Sequence, residues 1–402
     1  MPHLRRLIWL VLLIVVSLSC RQQPAAVAPL SPAVVPAPTE SANGPVLETL
    51  ATTSPTTVPA TPTKTAVASA TPTNTATPTA SQTTPVTATE TATVTPTPDP
   101  YAPYSISAMA ARAYGGGELE IVERMETNER FARYLISYPS DGITIYGFMN
   151  VPHEGSKFPV AIVLHGYINP AEYDTLAYTS RYADALADAG YFVLHPNLRG
   201  FPPSEEAASE EEAASDDEAS SDDDDAFRTG LAADVLNLMA IVREQSSDPE
   251  GPLRRADAEA IHLWGHSMGG GVVLRVVTIL REPYLRAGVL YGAMSGDEVQ
   301  NYRKIMEWSE GRSGQFELAA SPDALQAISA IHHLQRINTP LSIHHGEGDE
   351  TVPAEWSADL CARLQALDHP VECFSYNAAS HTFYGAWEEL FNKRVVEFFD
   401  RY

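Results

Sequence analysis

The sequence predicts an α/β fold, in which a mostly parallel, doubly wound sheet has helices on both faces and a small helical cap. Short apolar runs, typical of strands buried on both faces, alternate with segments of helical periodicity across residues 104–402. Strands separated by helices form parallel βαβ units. The stretch is 299 residues long, which suits a single domain of this class.

Eight strands and five helices are predicted in this domain. The first two strands form a hairpin, because the turn residues Pro-Ser-Asp-Gly at 139–142 separate them. The later strands are continuous apolar runs, and the helices repeat apolar side chains every three or four residues. The predicted strands are 134–138, 143–151, 159–164, 191–194, 260–264, 287–291, 341–345 and 371–376. The predicted helices are 179–189, 230–243, 269–280, 354–367 and 387–399.

The composition of the whole chain excludes several classes of protein. Its 402 residues include 51 acidic and 26 basic side chains, for a formal net charge of −25, and only three cysteines. So few cysteines cannot staple a mini-protein, and one long apolar run is too little for a polytopic membrane protein. Nucleic acid repels a strongly acidic chain, so we expect no nucleic-acid partner.

Residues 1–20 have the features of an export signal. Arg5 and Arg6 precede the apolar run 7–16, which is too short to span a bilayer comfortably, and small residues lead to Cys20. The segment resembles a bacterial lipoprotein signal with Cys20 as the lipidated residue. We therefore expect an exported, cell-surface protein that touches the membrane only through this end. A plain signal peptide, which would release a secreted protein, and an uncleaved anchor are the alternatives.

A stalk is predicted for residues 21–103. The segment consists mostly of Pro, Thr, Ala, Ser and Val, with almost no large apolar side chains. Dense proline removes backbone donors and blocks helix and strand, so we expect an extended, disordered spacer without chemistry of its own.

Two insertions interrupt the alternation of strands and helices. Residues 204–225 hold 12 Asp or Glu and no Lys or Arg, and the rest of the chain has a net charge of −13. We expect this block to be a solvated, disordered loop, and a role with a metal or cationic partner is the alternative. Residues 292–338 form a long connection, which we expect to add cap-like helices over the carboxyl edge of the sheet.

The chemistry is predicted to lie at a serine on a sharp turn. Gly265-His266-Ser267-Met268-Gly269 follows a predicted strand and begins a predicted helix, which is the context of a G-x-S-x-G nucleophile elbow. We expect Ser267 to be the nucleophile and the Met268 amide, at the helix N-terminus, to stabilise an oxyanion. A merely tight structural turn is the alternative.

A serine nucleophile needs a base and an acid that orients it. In this fold the acid follows the serine in the chain and the base comes last. Asp349, beyond the strand 341–345, is the predicted acid, with Glu347 and Glu350 as alternatives. His381 follows the strand 371–376 and is the predicted base, whereas one of His344 and His345 is expected to line the site.

A second oxyanion donor is expected from the loop after the strand 159–164. The amide of Tyr167 is the candidate, with Gly166 permitting close approach, and its hydroxyl is a further possible donor. The alternative is that Tyr167 is a packing aromatic. His165 is expected to brace the loop. Serine chemistry of this kind requires no metal and no organic cofactor, so we expect none.

Several motifs together resemble the prolyl oligopeptidase family, in its acylaminoacyl-peptidase and dipeptidyl-aminopeptidase-like branch. The stretches that carry the resemblance are Val163–Gly166, Asn197–Gly200, Gly265–Gly270, His344–Pro353 and Ser380-His381. The resemblance implies an α/β-hydrolase fold and serine-peptidase chemistry, with Ser267, Asp349 and His381 as the triad. It also implies that a tyrosine near the His-Gly loop assists the oxyanion hole.

The chain departs from that family in two ways. No segment is long enough for the β-propeller of its large members, and the acidic block interrupts the region after Arg199-Gly200. The sequence therefore leaves three hypotheses. A serine peptidase acting on short peptides is favoured, a carboxylesterase or acyl esterase with the same triad is the first alternative, and a non-catalytic surface-binding module is the second. The oligomeric state is not predicted.

The last two cysteines are expected to form a disulfide. Cys361 lies in a predicted helix and Cys373 in the next predicted strand, only a short distance along the chain. An exported domain can keep such a bridge, which would brace the elements that carry the acid and the base. Two buried free thiols are the alternative.

Overall fold

The computed structural model of the protein describes residues 99–205 and 225–402. The predicted signal with Cys20, the stalk up to residue 98 and residues 206–224 of the acidic block lie outside the described residues. Within the described ranges, no helix has the length and apolarity that crossing a membrane requires.

The described residues build one sheet, with the strand order β1-β2-β3-β5-β4-β6-β7-β8-β9. Pairing is antiparallel from β1 through β3 to β5, and parallel from β5 to β9. The strands are β1 Glu120–Thr127, β2 Phe131–Ser140, β3 Ile143–Pro152, β4 Phe158–Leu164, β5 Phe192–Pro196, β6 Ala256–His266, β7 Leu285–Tyr291, β8 Leu341–Gly346 and β9 Val371–Tyr376. The predicted mostly parallel α/β class is therefore confirmed.

Helices pack against both faces of this sheet. The apolar side chains of α3, α4 and α8 join one core cluster, whereas those of α2 and α9 join the cluster on the opposite face. Burial of these apolar stripes is the main stabilising contribution to such a layered fold. The helices are α1 Ile106–Ala111, α2 Ser180–Asp188, α3 Asp225–Gln245, α4 Met268–Ile279, α5 Glu298–Trp308, α6 Gln315–Leu318, α7 Pro322–Ile328, α8 Ala354–Ala366 and α9 Ala386–Phe399.

One strand was not expected from the sequence. β1 carries the charged run Glu-Ile-Val-Glu-Arg-Met-Glu-Thr, and nearly all of its residues are exposed. It pairs with β2 at the edge of the sheet, with two irregularities in the register. An edge strand that is exposed on both faces has no alternation of apolar and polar residues, which explains why the pattern fails to predict it.

The connection between β7 and β8 contains α5, α6 and α7. Tyr302, Leu325 and Ile328 form a small apolar cluster there with Tyr101, which comes from the beginning of the described domain. This satellite cluster gives the connection a core of its own beside the main sheet.

A disulfide joins Cys361 in α8 to Cys373 in β9, with the two Cα atoms 6.4 Å apart. The bridge therefore fastens the helix after the Asp349 loop to the strand before the His381 loop. Because β6, β8 and β9 run parallel, the loops after all three strands emerge at the same edge of the sheet.

Candidate active site

Ser267 lies between β6 and α4 in a strained backbone conformation. Its φ is 54° and its ψ is −116°, a region that residues other than glycine rarely adopt and that costs about 1–3 kcal/mol. Two backbone hydrogen bonds hold the turn: the Ser267 amide donates to the Tyr291 carbonyl oxygen at 2.9 Å, and its own carbonyl accepts from the Met294 amide at 3.0 Å. The turn therefore has the geometry of a nucleophile elbow.

The glycines of the motif are required by contacts between backbones. A Cβ on Gly265 would lie 2.2 Å from the Gly269 carbonyl oxygen, and a Cβ on Gly269 would lie 2.4 Å from that of Leu164. Both distances are far below van der Waals contact, and neither partner is a flexible side chain. The close approach of β4, β6 and α4 at this point explains the spacing of the motif.

Asp349 and His381 form a hydrogen-bonded pair in the loops after β8 and β9. His381 Nδ1 lies 2.7 Å from Asp349 Oδ2, and the side chain of Asp349 has no exposed surface. The other carboxylate oxygen, Oδ1, accepts from the amides of Thr351 and Val352, each at 2.9 Å. The alternatives Glu347 and Glu350 are both exposed, and Glu347 instead accepts a hydrogen bond from Ser375 Oγ.

His345 is a second histidine on the same carboxylate. Its Nε2 lies 3.0 Å from Asp349 Oδ2, and its Nδ1 lies 2.7 Å from Ser357 Oγ. Burial raises the pKa of the Asp349 carboxyl, but hydrogen bonds from His345, His381 and the Val352 amide outweigh burial and hold this pKa below its ordinary value. Asp349 is therefore ionised, and its charge is available to an imidazolium on His381. His344 instead contacts Tyr376 and Ser342, away from this carboxylate.

Ser267 and the His381–Asp349 pair are neighbours at one edge of the sheet. The imidazole ring of His266, adjacent to Ser267, is 4.5 Å from that of His381 between centroids. A Cβ on Gly292 would lie 3.3 Å from His381 Nδ1 and 3.5 Å from Asp349 Oδ2. Among the described residues no hydrogen bond joins Ser267 to His381. In enzymes without substrate such catalytic hydrogen bonds are often long, and they tighten when substrate binds.

Two backbone segments lie beside the Ser267 turn. Helix α4 begins at Met268, whose amide belongs to the first turn of the helix and has no acceptor within it. The loop after β4 also approaches closely, because a Cβ on Gly166 would lie 3.0 Å from the Ser267 Cβ. The next residue, Tyr167, is 65% exposed and meets Phe201 edge to face, so its ring is only partly packed.

His165 connects the loop after β4 to the segment after β5. The nitrogens of its buried ring lie 2.6 Å from the Asn197 carbonyl oxygen and 2.8 Å from the Gly166 carbonyl oxygen. Burial lowers the pKa of His165, and the contacts with the Gly166 and Asn197 carbonyl oxygens act in the opposite direction.

Three further residues reach this edge without any signal in the motifs. Tyr291, at the end of β7, accepts the Phe383 amide with its hydroxyl and the Ser267 amide with its carbonyl. Tyr178 lies in the connection after β4, and its hydroxyl is hydrogen-bonded to His266, the last residue of β6. His266 in turn lies next to the loop that carries His381. His266 occupies the variable position of G-x-S-x-G, so the motif itself does not single it out.

No metal site accompanies this arrangement within the described ranges. Across residues 99–205 and 225–402, no group of three or more His, Cys, Asp or Glu side chains is placed to hold an ion.

Two family models match the chain over this region. The model of the prolyl oligopeptidase family matches residues 253–402, which include Ser267, Asp349 and His381. The model of the alpha/beta hydrolase fold matches residues 159–312. The domain is an α/β-hydrolase, and it matches the prolyl oligopeptidase family. These matches support a serine hydrolase, either a peptidase or a carboxylic ester hydrolase.

Sequence relatives of the hydrolase with modest identity include a human and a bacterial protein. It is 25% identical to the human protein ABHD12B over 218 residues, which cover 50% of this chain and 49% of the relative. It is 24% identical to the uncharacterized peptidase YtmA of Bacillus subtilis (strain 168) over 256 residues, or 62% of this chain and 86% of the relative. The chain thus spans about half the length of the human protein and most of the bacterial one.

Solved structures share the fold of the hydrolase. Acetyl xylan esterase 1 from Thermoanaerobacterium sp. JW/SL YS485 superposes with a TM-score of 0.52 at 17% identity, covering 75% of this chain and 95% of that one. A protein assigned as a dipeptidyl aminopeptidase IV from Bacteroides ovatus ATCC 8483 superposes with a TM-score of 0.52 at 16% identity, covering 69% of this chain and 36% of that one. Esterases and peptidases therefore both use this fold.

Proposed function

We propose that the hydrolase is a serine peptidase that cleaves short peptides through an acyl-enzyme on Ser267. The observation that carries the proposal is the strained Ser267 elbow beside the buried His381–Asp349 pair. The prolyl oligopeptidase match over residues 253–402 and the similarity to a bacterial protein named as a peptidase favour amide substrates.

The proposed reaction is acyl transfer to water. The Nδ1–H of His381 donates to Asp349, which leaves Nε2 free to take the proton of Ser267 as the serine oxygen attacks the scissile carbonyl carbon. The C–N bond of the tetrahedral intermediate then breaks, and His381 returns the proton to the departing amine. Water, deprotonated by the same imidazole, attacks the ester carbon. The C–O bond to Ser267 then breaks, His381 returns the proton to the serine oxygen, and the acid is released.

The negative charge that develops on the carbonyl oxygen of the substrate needs hydrogen-bond donors. We assign this role to the amides of Met268 and Tyr167, which belong to the two backbone segments around the Ser267 turn. A donor of this kind typically contributes about 2.7–4 kcal/mol to transition-state stabilisation.

A fluorophosphonate probe tests the nucleophile. The wild-type enzyme should become labelled at Ser267, and Ser267→Ala should lose labelling and roughly four to six orders of magnitude in turnover. Ser380 is an exposed serine next to His381 in the chain and supplies the matched control. Ser380→Ala should be labelled like wild type, and retained turnover in folded Ser267→Ala would contradict the proposal.

An acyl esterase with the same three residues is the second candidate. All strands of the described residues belong to one sheet, so no second β-domain among them screens substrates by size above the Ser267 edge. Small acyl esters would reach such an edge as readily as peptides.

A substrate panel separates the two candidates. Cleaving an amide requires protonation of a poor leaving group as well as attack, whereas a short activated ester requires mainly attack. Aminoacyl anilides and short peptides should be turned over at substantial kcat/KM if the enzyme is a peptidase. Hydrolysis of acyl esters without any amide cleavage would assign it to the esterases.

We further propose that the enzyme works outside the cytoplasm, held at the membrane by a lipid on Cys20. The support is the charged, apolar and small-residue pattern of residues 1–20. Full-length wild type should fractionate with membranes, and Cys20→Ser should lose incorporation of labelled fatty acid. Equal lipid incorporation in the two proteins would refute the assignment of Cys20.

A further inference from the structure

We propose that Tyr178 and His266 are positioning residues, which hold two loops in place around Ser267. One is the oxyanion loop, residues 165–167 after β4, and the other is the loop after β9 that carries His381. This inference rests on the proposed function, because it assigns the two side chains a task in the reaction of Ser267.

The first link of this pair reaches the oxyanion loop. The Gly166 amide donates to the Tyr178 hydroxyl oxygen at 3.0 Å. Gly166 itself packs closely against Tyr178 and Ser267, because a Cβ there would lie 2.5 Å from the Tyr178 hydroxyl oxygen and 3.0 Å from the Ser267 Cβ. Tyr178 therefore fixes the peptide immediately before the amide of Tyr167, which is the assigned donor.

The second link reaches the loop of the base. The Tyr178 hydroxyl donates to His266 Nδ1 at 2.5 Å, and His266 Nε2 donates to the His381 carbonyl oxygen at 2.9 Å. The His266 and His381 rings are also packed together, with 4.5 Å between their centroids. One line of hydrogen bonds thus runs from Gly166 through Tyr178 and His266 to His381.

Because its lowered pKa keeps the His266 ring neutral, only one arrangement of protons satisfies all of these contacts. The His381 carbonyl oxygen can only accept, so Nε2 of His266 must carry the proton and Nδ1 must accept. The Tyr178 hydroxyl therefore donates to Nδ1, and its oxygen lone pair remains for the Gly166 amide. The direction of every hydrogen bond in this line is therefore determined, and each bond joins one loop to the next group in the line.

His266 keeps this arrangement over a wide pH range. Its side chain is 1% exposed, and burial, with a smaller contribution from the nearby His381, lowers its pKa to about 3. Burial also raises the pKa of the Tyr178 hydroxyl, so this group stays protonated. Neither residue exchanges a proton with the substrate in the proposed mechanism, and both act through the position of their neighbours.

Position matters here because the reaction depends on exact alignment. Oxyanion donors and the base must be held to within about 0.5 Å of the productive geometry, and a misplacement of about 1 Å can reduce the rate roughly 100-fold. Loosening these loops should weaken stabilisation of the transition state more than ground-state binding. We therefore expect kcat to fall while KM changes little.

Four variants of the full-length enzyme test the inference. Tyr178→Phe keeps the ring and removes the hydroxyl, and it should lower kcat by about 10- to 100-fold with KM within about threefold of wild type. His266→Leu should have a similar effect, whereas His266→Gln, which offers one acceptor and one donor, should recover part of the loss. Tyr191→Phe removes a hydroxyl that bonds Asp400 just before β5, at the end of the sheet opposite Ser267, and should leave kcat unchanged.

The double variant Tyr178→Phe with His266→Leu gives a second readout. Because the two residues act in one line, the double variant should be about as impaired as the worse single variant. Multiplication of the two single effects would overturn the proposal, as would a kcat of Tyr178→Phe equal to that of Tyr191→Phe. If His266→Leu does not fold, as judged by thermal unfolding, the comparison of the two tyrosine variants decides alone.

Ser267→Ala separates this inference from the proposed function. Activity in folded Ser267→Ala would refute the nucleophile and the positioning role with it. An inactive Ser267→Ala together with a fully active Tyr178→Phe would refute only the positioning role.

Discussion

Replacing Asp349 with Asn changes one atom of the buried carboxylate and should disable the base. In the structure Asp349 Oδ2 receives His381 Nδ1 at 2.7 Å and His345 Nε2 at 3.0 Å. The other oxygen receives two backbone amides, which an Asn carbonyl oxygen would keep. The Asn amide group must then occupy the Oδ2 position and point its N–H bonds at the two imidazoles.

The consequence for His381 follows from its two tautomers. An amide N–H facing Nδ1 favours the form in which Nδ1 accepts and Nε2 carries the proton, and that form cannot take the proton of Ser267. The same change removes the negative charge that stabilises the imidazolium. We expect kcat to fall by about 10⁴, which corresponds to about 5.4 kcal/mol of lost transition-state stabilisation.

Steady-state kinetics on an aminoacyl anilide, with circular dichroism and thermal unfolding as checks of the fold, measures this effect. Glu347→Gln is the matched control, since Glu347 is an exposed carboxylate in the same loop and should tolerate the change within about twofold. A folded Asp349→Asn enzyme with kcat within tenfold of wild type would show that Asp349 does not orient the base.

Three further predictions concern a residue beside the His381–Asp349 pair and the stability of the fold. Gly292→Ala should reduce kcat with little change of KM, because a Cβ would lie 3.3 Å from His381 Nδ1 on a backbone with φ of +50°; kinetics on the folded variant measures this. Replacing Cys361 and Cys373 with serine should lower the free energy of unfolding by about 2–4 kcal/mol without changing kcat, as measured by denaturant titration. The enzyme should lose stability as the pH falls below 6.5, because four buried histidines have pKa values lowered to about 3 or 4 and the unfolded chain takes up protons that the folded state does not. Each of these histidines would lower the free energy of unfolding by about 2 kcal/mol at pH 5. A midpoint temperature of unfolding that stays constant from pH 7 to 5 would contradict this prediction. The four are His195, His262, His266 and His344.

The elements that could be predicted are those with a local pattern. Strands buried on both faces are continuous apolar runs, and the predicted strand 371–376 coincides with β9. The elbow could be placed because strand, glycine spacing and helix all occur within one short segment around Ser267. The order of acid and base after the serine then named Asp349 and His381, which the structure brings together.

The elements that could not be predicted depend on contacts between distant parts of the chain. Tyr178 and His266 are 88 residues apart, and no spacing rule connects a loop tyrosine to the variable position of an elbow. The sequence alone also could not decide which of His344 and His345 lines the site. Successive residues of a strand point to opposite faces, and only the path of the following loop shows that His345 meets Asp349.

Strand β7 carries none of the three proposed catalytic residues, yet it determines how they meet. It lies between β6 and β8, so its end separates the Ser267 elbow from the Asp349 loop. Its last residue, Tyr291, accepts the Ser267 amide, and the following Gly292 donates its amide to the His344 carbonyl oxygen at 2.8 Å. At that point the chain must turn with a positive φ and leave room for the His381–Asp349 pair, which a glycine can do and a residue with a Cβ does only with strain. The serine and its base can therefore approach each other because a glycine follows the strand between them.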